Sequence, residues 1–160
     1  MKIKMPIQTP RFIKPIIWIV AVAILLINMS SAVAGSITDI TVYRDPACNC
    51  CGNWVDYLAT QGFQPKNLPV SNIVTLKQHY GVPNDLVSCH TAVIDGYIVE
   101  GHVPVEDIKR LLAEKPDVVG IAVPDMPIGT PGMESGDVRE PFSVFSFGTQ
   151  GTKLFNQYVF

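Results

Sequence analysis

Charged residues are scarce in this chain: they make up 16% of its 160 residues, against 48% hydrophobic ones. Acidic residues are absent from the first 34 positions, and the remaining 126 hold 8 basic against 14 acidic residues, a net charge of −6. Because no basic cluster offsets this balance, we predict that the chain binds no nucleic acid. No long apolar run follows residue 27, which excludes a polytopic membrane protein, and the composition is that of one globular domain.

The N-terminal segment combines basic residues up to Lys14 with a 13-residue apolar run, Pro15–Ile27, and the small residues at 32–34. The run is shorter than the roughly 20 residues that a spanning helix needs, and the A-x-A pattern is typical of a cleavage site. We therefore predict a signal peptide at 1–34 and a mature domain at 35–160 without membrane attachment. An uncleaved membrane anchor is the alternative. Export would place the domain in an oxidising compartment, where thiols pair or bind metal.

The mature part alternates between strand and helix patterns. Its order is strand, helix, strand, helix, hairpin and helix, followed at 120–160 by a Gly/Pro-rich loop and hairpin extension. This order predicts an α/β, thioredoxin-like fold with a mixed sheet of four to five strands flanked by helices. The predicted strands lie at 37–43, 64–70, 91–94, 97–100, 142–147 and 153–160, and the predicted helices at 51–61, 73–78 and 104–115.

Three of the four cysteines stand together as Cys48-Asn49-Cys50-Cys51, at the predicted start of the first helix. Helix N-termini favour thiolates, which serve both disulfide exchange and the binding of soft metals. Disulfide exchange needs two sulfurs, one that attacks and one that resolves, and a third thiol between Cys48 and Cys51 would compete with them. The motif therefore argues against exchange. Neighbouring side chains diverge by about 100° around a helix, which disfavours one shared tetrahedral ion. Sulfurs that bridge several Cu(I) ions would relax this constraint.

A second donor group is predicted at the end of a β-hairpin. Asp95-Gly96 is a strong two-residue turn signal, and the register it sets pairs Thr91 with Glu100. Continued outward, this register pairs Cys89 with His102 and brings His90 beside them. In a thioredoxin-like fold this hairpin end lies against the loop that follows the first strand. Thioredoxin-like oxidoreductases carry a cis-proline just before this strand, and this chain has none at 88–90.

Methionine is rare in the predicted mature chain. Its two methionines, Met126 and Met133, both lie in the irregular segment 124–133, outside any apolar periodic run. Thioethers are soft ligands that select copper over zinc. A loop that folds over the cysteines could therefore add one or both sulfurs to a metal site, and packing within the loop is the alternative.

Three other interpretations of the cysteines stay open. A thiol–disulfide oxidoreductase would use Cys48 and Cys51. A structural module would pair its thiols, for example as Cys48–Cys51 and Cys50–Cys89. The third is a zinc or iron–sulfur centre, which also takes thiolate ligands.

Four motifs in the same order resemble the CopG-type copper-resistance proteins of Gram-negative bacteria, a family long catalogued only as a domain of unknown function. They lie at 43–54, 88–97, 100–104 and 123–133. The resemblance implies a periplasmic thioredoxin-like protein that holds a cluster of several copper ions in copper tolerance. It also implies interconversion of Cu(I) and Cu(II), so the chain could be a copper oxidoreductase or a protein that only binds the metal. Other periplasmic copper-handling proteins are the partners that the resemblance implies. The ligands it implies are Cys48, Cys50, Cys51 and Cys89, and the matching positions His90, His102, Met126 and Met133 complete the candidate shell.

Overall fold

The computed structural model describes residues 38–160. The predicted signal peptide at 1–34 and the cleavage site therefore lie outside the described residues, as does the first residue of the first predicted strand. Within residues 38–160, no helix has the length and apolar character to cross a membrane.

Three α-helices and seven strands lie within residues 38–160. The strands are β1 (Thr38–Arg44), β2 (Phe63–Pro69), β3 (His90–Ile94), β4 (Tyr97–Glu100), β5 (Gly120–Ala122), β6 (Phe142–Gly148) and β7 (Gly151–Tyr158), and the helices are α1 (Asn49–Thr60), α2 (Ile73–His79) and α3 (Val105–Glu114). A short 3₁₀ helix covers Asn84–Leu86. All the predicted elements are present, with shifted ends: Pro104, for instance, precedes α3 in an extended conformation instead of forming its first residue.

All seven strands form one mixed sheet in the order β2-β1-β3-β4-β5-β6-β7. The prediction of four to five strands was therefore wrong. The C-terminal hairpin extends the same sheet, because the short strand β5 pairs with β4 on one side and with β6 on the other. β5 escaped prediction since its three residues are all buried and show no polar alternation.

The core explains why these segments fold as they do. Alternating residues Ile40 and Val42 of β1 point inward, and the stripe of Trp54 and Leu58 on α1 packs against them. Trp54 is fully buried, and its indole N–H donates to the carbonyl of Val103 at 3.0 Å. This anchor fixes the first turns of α1 against the chain that leads into α3.

Candidate metal centre

The loop between β1 and α1 places the first three cysteines. Arg44 ends β1, and its guanidinium donates to the carbonyls of Asp45, Pro46 and Cys48 at 3.1, 3.3 and 3.4 Å. The carboxylate of Asp45 accepts from the backbone N–H of Ala47 at 2.8 Å, which closes an Asx turn. Cys48 precedes α1 as an extended N-cap residue. The cysteines therefore lie at a helix N-terminus, in a turn that the guanidinium of Arg44 stabilises.

The structure brings the sulfurs of Cys48, Cys50, Cys51 and Cys89 within 4.8 Å of one another. Cys48 and Cys51 form a disulfide, and the Sγ of Cys50 lies 3.4 Å from the Sγ of Cys48. Cys50 and Cys89 are free thiols. The divergence that we expected between Cys50 and Cys51 does not keep their sulfurs apart, so this argument against a single tetrahedral ion fails.

The β3–β4 hairpin supplies the second donor group, in the predicted register. Thr91 pairs with Glu100 and Ile94 with Tyr97, and the two turn residues Asp95 and Gly96 have φ of +47° and +84°. Beyond the paired residues, the Sγ of Cys89 lies 3.1 Å from Nε2 of His102 and 3.3 Å from Nδ1 of His90. Residues 89, 90 and 102 thus form a compact group of one sulfur and two ring nitrogens.

Both imidazoles are buried and present ring nitrogens to the Cys89 sulfur. Nδ1 of His102 donates to the carbonyl of Pro131 at 2.8 Å, which leaves Nε2 with a lone pair facing Cys89. Burial lowers the pKa of His102, and burial together with the nearby His102 lowers the pKa of His90 well below its usual value. Nε2 of His90 is buried without a hydrogen-bond partner among the described residues. Neutral imidazoles of this kind are suited to bind a metal.

The Cys89 thiol has the opposite electrostatic setting. Burial, with the neighbouring Cys50, raises its pKa to about 12, so the metal-free chain holds a neutral thiol here. A thiol must lose its proton to become a strong metal ligand. A bound cation would supply the charge that favours the thiolate, and binding would release a proton.

The loop that follows β5 lies over this group. The Ser88 hydroxyl donates to the carbonyl of Asp125, next to Met126. A Cβ added at Gly132 would lie 2.7 Å from the backbone nitrogen of Trp54, so the loop backbone touches the start of α1. Met126 is 49% exposed, and Met133 is half-buried beside Gly132. The fold therefore brings the six predicted Cys and His residues together, and it places both methionines on the covering loop.

A buried ion pair behind Cys89 is part of the site that we did not predict. Nζ of Lys77, on α2, lies 2.6 Å from Oε1 of Glu100, and both side chains are buried. The same oxygen accepts from the backbone N–H of Ser88 at 2.7 Å, and the Thr91 hydroxyl donates to Oε2 at 2.7 Å. The predicted pairing of Thr91 with Glu100 could have indicated this ion pair, because it placed an acidic residue within a buried hairpin, where a charge needs a partner.

Soft cations fit this arrangement of donors. Four sulfurs and two neutral ring nitrogens suit Cu(I), and sulfur ligands also suit zinc. A tetrahedral zinc–thiolate site has sulfurs about 3.8 Å apart, a spacing that the observed limit of 4.8 Å also accommodates. The geometry therefore defines a thiol-rich group of donors that could hold a soft metal ion, and it does not distinguish copper from zinc.

Comparisons with known proteins agree with this type of site. A family model described as a protein of unknown function, DUF411, matches residues 86–133. A solved structure of copper resistance protein CopG, form 2, is 41% identical with a TM-score of 0.73, and the match covers 76% of this chain and 98% of that one. Form 1 is 42% identical with a TM-score of 0.72, covering 75% and 96%. No curated protein matches the chain.

Fold and site together define an α/β protein with a thiol-rich candidate metal centre at a helix N-terminus. The chain belongs to the CopG family of copper resistance proteins.

Proposed function

We propose that this protein binds Cu(I) in the periplasm as part of copper resistance and interconverts Cu(I) and Cu(II). Copper is its cargo or substrate, held as a cluster bridged by cysteine sulfurs. The proposed ligands are Cys48, Cys50, Cys51, Cys89, His90, His102, Met126 and Met133.

One observation carries the proposal: sulfurs from two distant stretches of the chain lie within 4.8 Å of one another, and two imidazoles face one of them. Once the Cys48–Cys51 disulfide is reduced, four thiolates bring four negative charges to a half-buried place, and several monovalent cations balance them better than one Zn²⁺ does. The copper resistance proteins that the chain resembles support copper as the metal. Two methionines on the covering loop add soft donors that zinc seldom uses.

Metal analysis of protein purified from copper-fed cells tests the proposal. We expect copper in excess of zinc in the wild type and loss of nearly all copper in Cys50→Ser. Ala59→Ser is the matched control, because it adds the same hydroxyl at an exposed position of the same helix. Stoichiometric zinc without copper in the wild type, or a Cys50→Ser protein with its full copper content, would contradict the proposal.

A thiol–disulfide oxidoreductase is the second candidate, favoured by the Cys48–Cys51 disulfide at the start of α1. If the chain is such an enzyme, its metal-free form should reduce the disulfides of insulin when an external reductant is supplied. Turnover that survives Cys50→Ser and fails in Cys51→Ser would support it. Absence of turnover in the wild type leaves copper binding as the function of these thiols.

The periplasmic location rests on the predicted signal peptide at 1–34, and the mature domain is proposed to be 35–160. We also propose that the fold is thioredoxin-like. The parallel pair β1 and β2, with the hairpin β3–β4 beside β1, supports this assignment. Mass spectrometry of protein from a periplasmic extract tests the location and the cleavage: a chain that begins at Gly35 is expected, and an intact Met1 would contradict the cleavage.

A further inference from the structure

The carboxylate of Glu100 holds both ends of the two-residue segment Cys89-His90. Its Oε1 accepts from the backbone N–H of Ser88 at 2.7 Å, and its Oε2 accepts from the hydroxyl of Thr91 at 2.7 Å. Ser88 and Thr91 are the residues directly before and directly after this segment. One side chain of β4 therefore holds the start of β3, where two candidate ligands stand side by side.

Lys77, on α2, fixes this carboxylate in turn. Its Nζ donates to Oε1 of Glu100 at 2.6 Å and to the hydroxyl of Thr91 at 3.0 Å. The ammonium, the hydroxyl and the carboxylate thus form a closed ring of hydrogen bonds, and all three side chains are buried. Because each group in the ring bonds to the other two, the carboxylate is held in one orientation.

Ser88 is held on a second side as well. Its hydroxyl donates to the carbonyl of Asp125, with which it forms an isolated parallel β-bridge. A Cβ added at Gly101 would lie 2.5 Å from the hydroxyl oxygen of Ser88, so the backbone that follows β4 packs directly against this residue. The residue before Cys89 is therefore enclosed by the end of β4 and by the covering loop.

We propose that Glu100 is a positioning residue of the copper site: it sets the place of the Cys89 sulfur and of the His90 ring, and Lys77 holds it there. The donor group is compact, since the Cys89 sulfur lies 3.3 Å from Nδ1 of His90 and 3.1 Å from Nε2 of His102. A small shift of the segment would spread these donors apart. The inference rests on the proposed function, copper binding, and names two residues outside the ligand set on which copper affinity depends.

Stability alone gives a weak reason for this ion pair. The loss of hydration on burial offsets much of the attraction between two charges, and apolar residues of similar volume often stabilise a domain as well. Apolar side chains cannot, however, hold the backbone N–H of Ser88 and the hydroxyl of Thr91 as Glu100 does. Replacing residues that orient metal ligands typically weakens metal binding by about 10–100-fold.

Two double variants separate positioning from charge. Lys77→Met/Glu100→Gln and Lys77→Met/Glu100→Leu both lack the ion pair, and neither leaves a buried charge without a partner. The amide of glutamine can still accept from the N–H of Ser88 and donate to the hydroxyl of Thr91, whereas leucine can do neither. The two variants therefore differ in the hydrogen bonds that the inference assigns to Glu100.

The first measurement is the Cu(I) affinity of each reduced variant, determined without oxygen by competition with a chromogenic chelator. We expect the Glu100→Leu double variant to bind Cu(I) about 10–100-fold more weakly than the Glu100→Gln double variant. Val144→Ala controls for lost stability, because Val144 is buried on β6, two strands away from β4, and this variant should keep its copper affinity. Equal affinities of the two double variants, or the same loss in Val144→Ala, would overturn the inference.

A pair of single substitutions makes the test independent of the folding of the double variants. Thr91→Val removes the hydroxyl that bonds to Oε2 of Glu100 and leaves the ion pair in place, whereas Thr91→Ser keeps a hydroxyl. We expect Thr91→Val to bind Cu(I) about tenfold more weakly than Thr91→Ser. Equal Cu(I) affinities of these two variants would also overturn the inference.

Alkylation of the oxidised, metal-free protein tests the placement of Cys89 without copper. Cys50 and Cys89 are the free thiols, and peptide mapping follows the reaction of each with iodoacetamide. We expect Cys89 to react several times faster in the Glu100→Leu double variant than in the Glu100→Gln double variant, because it becomes more exposed, while Cys50 reacts equally in both. Equal rates at Cys89, or an equal rise at Cys50, would overturn the inference.

The two kinds of measurement separate this inference from the proposed function. If the wild type binds Cu(I) and the paired variants bind it equally well, the role of Glu100 is refuted while copper binding stands. If the alkylation rates differ as expected but the wild type binds no Cu(I), the proposed function fails while the placement of Cys89 by Glu100 stands.

Discussion

Replacing Lys77 by methionine tests whether the buried ion pair behind Cys89 supports the candidate site. The change keeps the length of the side chain and removes the charge that lies 2.6 Å from Glu100. Glu100 would keep its hydrogen bonds from Ser88 and Thr91, but its carboxylate would be left buried without a cation. Breaking one side of a buried pair costs about 3–5 kcal/mol, a large part of the roughly 5–15 kcal/mol that stabilises a typical domain.

Equilibrium urea unfolding of the oxidised, metal-free protein measures this cost. Lys66→Met is the matched control, since Lys66 is exposed on β2, and it should change the free energy of unfolding by about 0.5 kcal/mol or less. If Lys77→Met costs no more than Lys66→Met, the ion pair does not stabilise the fold and the reasoning is refuted.

Three further predictions follow from neighbouring features. Copper binding should quench the emission of Trp54, whose ring lies 4.3 Å from that of His90, and fluorescence unchanged by saturating copper would contradict the position of the site. Gly132→Ala should cost about 1–3 kcal/mol more than Gly136→Ala. Both glycines have positive φ, but only a Cβ at 132 meets the α1 backbone, and equal losses in urea unfolding would refute the contact. Burial raises the pKa of Asp107 above its ordinary value of 3.8. The free energy of unfolding should therefore fall as the pH rises from 3.8 through the higher pKa that Asp107 has in the folded protein. Asp107→Asn should flatten this fall, and an unchanged pH profile would contradict it.

The sequence predicted that these Cys and His residues lie close together because the signals for their placement are local. The dipeptide Asp95-Gly96 specifies a tight turn, and the turn alone sets the register that brings Cys89 to His102. The run of cysteines at 48–51 falls between a β-branched strand and an amphipathic helix, so its place at a helix N-terminus also follows from short-range patterns.

The remaining features depend on contacts between distant residues. Lys77 contacts Glu100 across 23 positions, and nothing in the pattern of α2 distinguishes a buried lysine from a solvated one. The strand β5 forms only because β4 and β6 lie on either side of it. The sulfurs of Cys50 and Cys51, which helical spacing argued against bringing together, lie within 4.8 Å of each other although both residues belong to α1.

The central claim is that sulfurs from the loop before α1 and from the β-hairpin hold copper together. The copper content of the reduced protein, loaded with Cu(I) without oxygen, tests it most directly when wild type and Cys89→Ser are compared. The account predicts that Cys89→Ser loses most of the bound copper although Cys48, Cys50 and Cys51 remain. Full copper retention by Cys89→Ser would contradict it.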